Sequence, residues 1–539
     1  MEKRTLTRRT VLSAAALATT ALAAPMIRRG YAATQVVPRG KFILGWHTNI
    51  APRWLDPQQH DGGATPDNFL NALQDAVIKN FRAEKFNHLA LADQDNFAED
   101  ALSATFRMRD GAKFHDGTPV EATDFVWSFE NYPGAWADVL HKKVKSVDIL
   151  NDHRTVRFTF KSPFLDFPRL MGTSNVCGAA WVVPAKYYQK VGKDGYANKP
   201  IGAGPYRLAS QVPGSQLNFE AFDDYYRPVH IKNFEMISVE DAATRVAMLE
   251  RGEADIIYDI PGELVARIKN NPKLMLAPVV SGNFWLEFPG FQDPKNPCHD
   301  KRVREAVSFA LDRVAINNDE SDGKGVVDGN WINDDVLYGM PWPKWPHDVA
   351  KAKKLMAQAG YPNGFNVDWL TPAPPYFTEG ERIVSQLLGI GIRAKMQTLE
   401  RAVYAKRRME GTKGWPGINI IMAGARIGAT WANWYESDFK CGGFLSGDAY
   451  CVPALDAKYA QYITSANRDE RKKLAYEIQT DILENYYFVP VWRHAFMNGI
   501  GPRIAAKTWQ DVFPTRSTSG YAYPWEDIEL KPNAAPEPA

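Results

Sequence analysis

Strand and helix patterns alternate irregularly along this chain, and that order constrains its fold more than any other feature. Residues 154–160 alternate apolar and polar side chains, which is typical of a half-buried strand. Residues 301–316 carry apolar side chains at three- and four-residue spacing, which predicts a single amphipathic helix. Repeated switching between these two periods predicts a mixed α/β architecture.

The chain is long enough to bury a large core. It has 539 residues, of which 45% are hydrophobic and 23% are charged, and this length predicts two or three domains. Aromatic side chains make up 12% of the residues, including 16 Trp. Most of these rings belong in the core, but enough remain to line a binding site.

Residues 1–33 have the features of an export signal. Arg8 and Arg9 form a twin-arginine pattern, and the apolar run over residues 11–24 that follows is too short for a permanent membrane helix. Small-x-small cleavage sites end at Ala23 and Ala33, and either one fits. No other apolar run approaches the roughly 18 residues that a membrane helix needs. We therefore expect a soluble, monomeric protein that the twin-arginine route delivers to the periplasm.

Charge and cysteine content exclude several other classes. Without residues 1–33, the 64 basic and 62 acidic side chains become 58 and 61, a formal charge of −3, which gives no sign of a nucleic-acid or anionic-membrane partner. No cysteine lies in a C-x-x-C pair and the histidines show no ligand spacing, so we expect no metal and no other cofactor. The four cysteines allow three full pairings, and we favour Cys441–Cys451 because it closes a short, glycine-containing loop.

A long block of the sequence resembles one protein family. Residues 105–119 read Thr-Phe-Arg-Met-Arg-Asp-Gly-Ala-Lys-Phe-His-Asp-Gly-Thr-Pro. Shorter blocks follow in the family's order at residues 55–57, 202–206, 250–255, 300–306 and 359–364. With the export signal, these blocks make residues 40–500 similar to the bacterial extracellular solute-binding proteins of family 5, which serve dipeptide, oligopeptide and nickel importers. The blocks are turns and bends that identify the fold and do not contact the ligand.

The resemblance implies a two-lobed periplasmic-binding-protein fold of class II with an additional inserted domain. Domain I would be discontinuous and comprise residues 34–78, 201–290 and 499–539. Domain II, at residues 79–200, would be the insertion, and domain III would span residues 291–498. The chain would pass between the lobes near residues 285–292 and 495–500, and these two segments would form a hinge.

A hinge between two lobes implies a binding mechanism without covalent chemistry, in which the lobes close on a ligand that contacts both. We expect ligand contacts at Trp46 and His47, which follow an apolar strand, and at Trp285, which lies close to the predicted crossover. Residues 424–435 combine glycines, large rings and one charge, and they contribute the remaining candidates, Arg426, Trp431 and Trp434. Rings can stack on sugars or peptide side chains, and an arginine can hold a carboxylate. The alternatives are packing at a domain interface for the rings and a surface salt bridge for the arginine.

One departure from the family leaves the ligand open. Peptide-binding members carry an aspartate, in an Asp-Tyr-Pro context, that pairs with the peptide's α-amino group. The corresponding region here, residues 431–438, has no Asp-Tyr-Pro, and only Glu436 or Asp438 could replace that carboxylate. The resemblance implies a peptide or a similar small organic solute that is delivered to the permease of an ABC importer. A sugar, an opine or another non-peptide solute is the alternative.

Two other functional classes are the alternatives to a binding protein of a transport system. For an enzyme, the sequence lacks Gly-x-Ser-x-Gly, His-Glu-x-x-His and a P-loop, so we expect no catalytic residues. A chemoreceptor partner or a periplasmic chaperone could use the same fold, and the sequence does not distinguish it from a transport receptor.

Overall fold

The computed structural model describes residues 36–60, 64–79, 88–173, 177–327, 331–332, 336–341, 344–426, 430–512 and 524–534. The chain divides into two compact units, Met1–Val37 and Pro38–Ala539, and the architecture below is that of the second unit. The predicted export signal at residues 1–33 lies outside the described residues.

The described residues form strands and helices in mixed order, which confirms the predicted α/β class. The strands are β1 (Lys41–Trp46), β2 (Ile78–Lys79), β3 (His88–Leu89), β4 (Ala92–Phe97), β5 (Ser103–Met108), β6 (Val144–Ile149), β7 (Thr155–Phe160), β8 (Tyr206–Val212), β9 (Gln216–Ala221), β10 (Asn233–Ser238), β11 (Ile256–Ile257), β12 (Met275–Glu287), β13 (Phe365–Pro372), β14 (Ile392–Met396), β15 (Asn419–Arg426) and β16 (Phe488–Ile500). The helices are α1 (Ala64–Leu73), α2 (Ala122–Glu130), α3 (Ala137–Lys143), α4 (Phe167–Gly172), α5 (Ala185–Asn198), α6 (Ala242–Arg251), α7 (Gly262–Lys269), α8 (Lys301–Ala310), α9 (Arg313–Ser321), α10 (Val349–Gln358), α11 (Phe377–Leu388), α12 (Arg401–Met409), α13 (Trp431–Trp434), α14 (Pro453–Thr464) and α15 (Arg468–Glu484).

A ten-stranded mixed sheet forms the centre of the fold, in the order β14-β13-β15-β12-β16-β11-β1-β10-β9-β8. We call the part built on β1 and β8–β11 the first lobe, and the part built on β13–β15 the second lobe. The strands β12 and β16 are 13 residues long and pair antiparallel along their whole length. At one end β16 pairs with β11, and at the other end β12 pairs with β15. These two strands therefore carry the sheet from one lobe to the other.

The inserted domain has its own sheet and core. Its antiparallel sheet runs β4-β5-β7-β6, and the predicted strand at residues 154–160 is β7, with Val156, Phe158 and Phe160 buried on one face. The core beneath it also includes residues 76–78 and Ala203, which flank the insertion in the chain. The inserted domain is therefore fixed to the first lobe through a shared core.

The predicted single helix at residues 301–316 is wrong, because two helices occupy that region. The first, α8, ends at Ala310, and Leu311 takes an extended conformation with ψ 114°. The side chain of Asp312 then accepts a hydrogen bond from the Ala315 N–H at 2.9 Å and starts α9. An aspartate is a strong N-cap residue, so this local hydrogen bond overrides the continuing apolar period.

The predicted Cys441–Cys451 disulfide is confirmed, while Cys177 and Cys298 are free and buried. The bridge closes the loop between α13 and α14 in the second lobe. A cross-link of this kind limits the conformations of the loop and stabilises it.

Candidate functional site

A row of aromatic rings crosses between the two lobes along β12 and β16. It starts in the first lobe, at the end of β1, and finishes beside α11 in the second lobe. In order, the ring centroids are 5.1 Å apart for Trp46–Tyr258, 5.5 Å for Tyr258–Phe496, 4.7 Å for Phe496–His494, 5.6 Å for His494–Phe284 and 4.9 Å for Phe284–Tyr376. All six side chains are buried. The backbone beneath the row is irregular, because the β12–β16 register shifts between Val280 and Gly282 and again between Phe284 and Trp285.

His47 packs against this row in the first lobe. Its ring centroid lies 4.6 Å from the centroids of both Trp46 and Tyr258, and the side chain is 3% exposed. Neither ring nitrogen has a hydrogen-bond partner among the described residues. Burial lowers the pKa of His47 well below its usual value, and the positive charges of Arg401 and Arg245 lower it further. The imidazole is therefore neutral, with one donor and one acceptor available.

Two further polar groups without partners lie on the second-lobe side. The Nη1 atom of Arg401, the first residue of α12, is buried and makes no hydrogen bond within the described part of the chain. Asn283 of β12 is fully buried, and both of its amide atoms lack partners among the residues described. A buried polar group without a partner costs about 1–3 kcal/mol, and a ligand with matching groups would recover that cost. Because these groups are mostly hydrogen-bond donors, they favour acceptor or anionic groups on the ligand.

An acid–histidine cluster occupies the crossover itself. His494 of β16 lies between the lobes, with Nε2 3.4 Å from Asp259 of the first lobe and Nδ1 3.8 Å from Glu379 of the second. Burial acts to lower the pKa of His494, but the hydrogen bond with Asp259 and the negative charge of Asp259 outweigh it, so the pKa is raised. Burial and the neighbouring Glu320 raise the pKa of Glu379 to about 8. At neutral pH this cluster therefore holds Glu379 mostly protonated.

The tryptophans of the second lobe lie in two other groups. Trp285 donates its indole N–H to Glu287 at 2.8 Å, and its ring lies 5.3 Å from that of Trp434. Glu287 also binds Arg408 at 2.5 Å and accepts a hydrogen bond from Tyr450, so Trp285 belongs to a buried polar network of this lobe. Trp434 keeps a buried indole N–H without a partner among the described residues.

Trp431 packs elsewhere, with its ring 4.9 Å from that of Tyr462 and 5.7 Å from that of Tyr459. The backbone of Arg426 pairs with Asn283 at the end of β15, but its side chain lies outside the described residues, as does the adjacent segment 427–429.

The structure thus brings two pairs of the six sequence-predicted site residues together, Trp46 with His47 and Trp285 with Trp434. Sequence reasoning missed Asn283, Arg401 and His494 as site residues. The signal for His494 was its position directly before the predicted second crossover at residues 495–500. Arg401 gave no such signal, because it begins a helix rich in basic residues that resembles a solvated surface.

Within the same described ranges, the structure contains no group of three or more His, Cys, Asp or Glu side chains arranged to bind a metal ion. No helix in these ranges has the length and apolar character needed to cross a membrane.

Comparison with known proteins places the chain among binding proteins. The family model for bacterial extracellular solute-binding proteins, family 5 middle region, matches residues 88–420. Heme-binding protein A of Haemophilus influenzae is 27% identical over 462 residues, which cover 77% of this chain and 80% of the relative.

Many solved structures share the fold, and two of them illustrate the likeness. One is the periplasmic binding protein AgaA of A. tumefaciens R10 in complex with agropinic acid, with a TM-score of 0.74, 24% identity and coverage of 91% of this chain and 99% of that one. The other is DppA of Helicobacter pylori in complex with the peptide STSA, with a TM-score of 0.75, 19% identity and coverage of 91% and 98%. The two-lobed fold with an inserted domain is therefore confirmed.

Proposed function

The chain belongs to family 5 of the bacterial extracellular solute-binding proteins, and from this premise we propose that it is the periplasmic receptor of an ABC importer. It encloses a peptide or a similar small organic solute between its lobes and delivers it to the membrane permease. It is exported by the twin-arginine route, acts as a monomer and performs no catalysis. One observation carries the proposal at the level of residues: unpartnered polar groups of both lobes, on His47, Asn283 and Arg401, accompany the aromatic row that crosses between the lobes.

We also propose the domain division given above, with domain I at residues 34–78, 201–290 and 499–539, domain II at 79–200 and domain III at 291–498. The course of β12 and β16 supports it, because both strands pass between the lobes close to these boundaries.

Two observations favour a solute without a free α-amino group over an ordinary peptide. Asp438 binds Arg408 at 3.1 Å and accepts a hydrogen bond from Ser437, so its carboxylate is used inside the second lobe. The pKa of Glu436 responds to the charge of Lys143 in the inserted domain rather than to residues of the aromatic row. Asp438 is therefore engaged within the second lobe, whereas Glu436 keeps a buried Oε2 atom without a partner among the described residues but is placed beside the inserted domain. An anionic, acceptor-rich solute such as an opine fits His47 and Arg401 better.

Thermal-shift screening of the purified mature protein with peptides, opines, other organic acids and sugars tests this proposal. A solute present at 100 times its Kd stabilises the folded protein by about 2.7 kcal/mol. At about 1 °C per kcal/mol for a chain of this size, we expect a rise in Tm of about 2–3 °C. The proposal fails if no solute class raises Tm, or if the bound solute is chemically converted.

A variant series then tests the residues. His47→Ala and Arg401→Ala should weaken binding of the solute identified by about 10- to 100-fold, because each removes a buried polar partner. Lys395→Ala is the control, since Lys395 is exposed and precedes the same helix. Unchanged affinity in both variants would show that the solute binds elsewhere. Loss of solute uptake after deletion of the gene would distinguish an import receptor from a chemoreceptor partner or a chaperone.

A further inference from the structure

A second contact between the lobes lies away from the crossing strands, where the inserted domain meets the second lobe. Asp166, at the start of α4 in the inserted domain, binds Arg471 of α15 with an O–N distance of 2.8 Å. The side chains are 9% and 1% exposed, so both charges are removed from water. Arg471 also donates to the Tyr462 carbonyl at 2.8 Å and lies 4.0 Å from the centre of the Tyr462 ring.

Two further charged side chains lie at this contact. The inserted domain contributes Lys143, which is influenced by the charges of Glu436, Asp166 and Arg471, and the second lobe contributes Glu436, which is influenced by the charges of Lys143 and Asp166. Burial raises the pKa of Glu436 while the charge of Lys143 acts to lower it, and burial lowers the pKa of Lys143 while Glu436 acts to raise it. The two surfaces therefore attract each other mainly through the direct Asp166–Arg471 ion pair, and the opposite charges of Lys143 and Glu436 act in the same direction.

An apolar contact adjoins these charges. The ring of Phe444 lies 5.4 Å from that of Trp136 in an edge-to-face arrangement and packs against the core of the inserted domain. Phe444 is carried by the loop that the Cys441–Cys451 disulfide closes. The disulfide restricts the conformations of this loop. Docking of Phe444 therefore loses less conformational entropy than it would on a loop without the cross-link.

The position of this contact gives it a consequence for closure. The inserted domain shares its core with residues 76–78 and Ala203, so it moves with the first lobe. Arg471, Tyr462 and Phe444 belong to the second lobe. When the lobes open at β12 and β16, the inserted domain must therefore separate from the second lobe. The charges of Asp166 and Arg471 then become hydrated.

We propose that Asp166, Lys143 and Trp136, with Arg471, Glu436 and Phe444, form a clasp that keeps part of the ligand-free protein closed. The inserted domain then does more than extend the first lobe, since it sets the balance between open and closed forms. Removing one partner leaves the other charge buried and unpaired only in the closed form, so the balance shifts towards the open form.

Distance measurements between spin labels test the clasp without any solute. Lys193→Cys on α5 and Lys354→Cys on α10 are exposed label sites on the inserted domain and the second lobe, and the free cysteines are buried. In the protein that carries only the two label cysteines, we expect part of the distribution of label–label distances to lie at the short distance of the closed form. Asp166→Asn and Arg471→Met should reduce the ratio of the short-distance, closed population to the long-distance, open population about ten-fold or more. The exchange of charges in Asp166→Arg/Arg471→Asp should restore part of it.

A matched control, a further clasp variant and a folding check keep the test decisive. Arg468→Met removes an exposed arginine from the same helix and should change nothing. Phe444→Ala, at a partly buried position, should reduce the short component without unfolding the protein. Far-UV circular dichroism and Tm establish that each variant is folded. A single long distance in the unchanged protein, or equal short components in Asp166→Asn, Arg471→Met and Phe444→Ala, would overturn the clasp.

Discussion

Glu379 should make the stability of this protein fall as pH rises from 6 to 8. The carboxyl is buried and faces Glu320 of α9, Asp259 of the first lobe and His494 of β16, while Arg382 of its own helix pairs with Glu320. These surroundings raise its pKa from 4.5 to about 8. The folded protein therefore keeps a proton that the unfolded chain has already released.

The sign and the magnitude follow from this proton. Between pH 4.5 and 8 the folded state binds more protons than the unfolded state, so stability decreases with pH by up to about 1.4 kcal/mol per unit. From pH 6 to 8 the loss due to Glu379 is about 2–3 kcal/mol. For roughly 500 ordered residues, this corresponds to about 2–3 °C in Tm. The raised pKa of His494 adds a loss of the same sign above pH 6.5.

Glu379→Gln isolates the contribution of Glu379, because glutamine resembles the protonated acid and does not titrate. We expect the free energy of unfolding of this variant, measured with urea at pH 6 and 8, to fall by about 2 kcal/mol less than that of the unchanged protein. Glu381→Gln, at an exposed position on the same helix, is the matched control and should keep the full pH dependence. Identical pH dependence in the two variants would refute a protonated Glu379.

Three other perturbations have expected outcomes. Arg408→Met leaves two carboxylates buried without their cation and should reduce the free energy of unfolding by about 3–5 kcal/mol, whereas exposed Lys406→Met should change it little in the same urea titration. Gly262→Ala should lower Tm by several degrees, because the added Cβ would lie 1.6 Å from a backbone oxygen of α9 and force the two helices apart. Replacing both Arg8 and Arg9 with lysine should leave the unprocessed protein in the cytoplasm on cell fractionation, and normal export would exclude the twin-arginine route.

Much of the fold could be predicted from sequence because it depends on local signals. Period-two alternation identified β7, and a short loop identified the Cys441–Cys451 pair. The error at residues 301–316 also had a local cause. The side chain of Asp312 accepts a capping hydrogen bond that starts a second helix, although the apolar spacing continues through this point.

The candidate site was less predictable because its contacts join distant parts of the chain. The contact between Trp46 and His47 follows from their adjacency in sequence. No periodicity relates Glu379 to His494, or Asp166 to Arg471, because each pair meets only when the lobes are assembled. Single charged residues on otherwise ordinary helices give no sequence signal for such contacts, and this is why Arg401 was missed.

The continuous sheet also has a practical consequence for producing the protein in parts. A fragment that contains only the first lobe would lack β12 and β16, and β11 would become an open edge. The complementary fragment would expose the free side of β15 in the same way, and open edges promote association between chains. Expression of either lobe alone should therefore give aggregates, because a cut on either side of β12 and β16 leaves an unpaired strand edge, and a minimal recombinant fragment has to keep strands of both lobes on the two sides of β12 and β16.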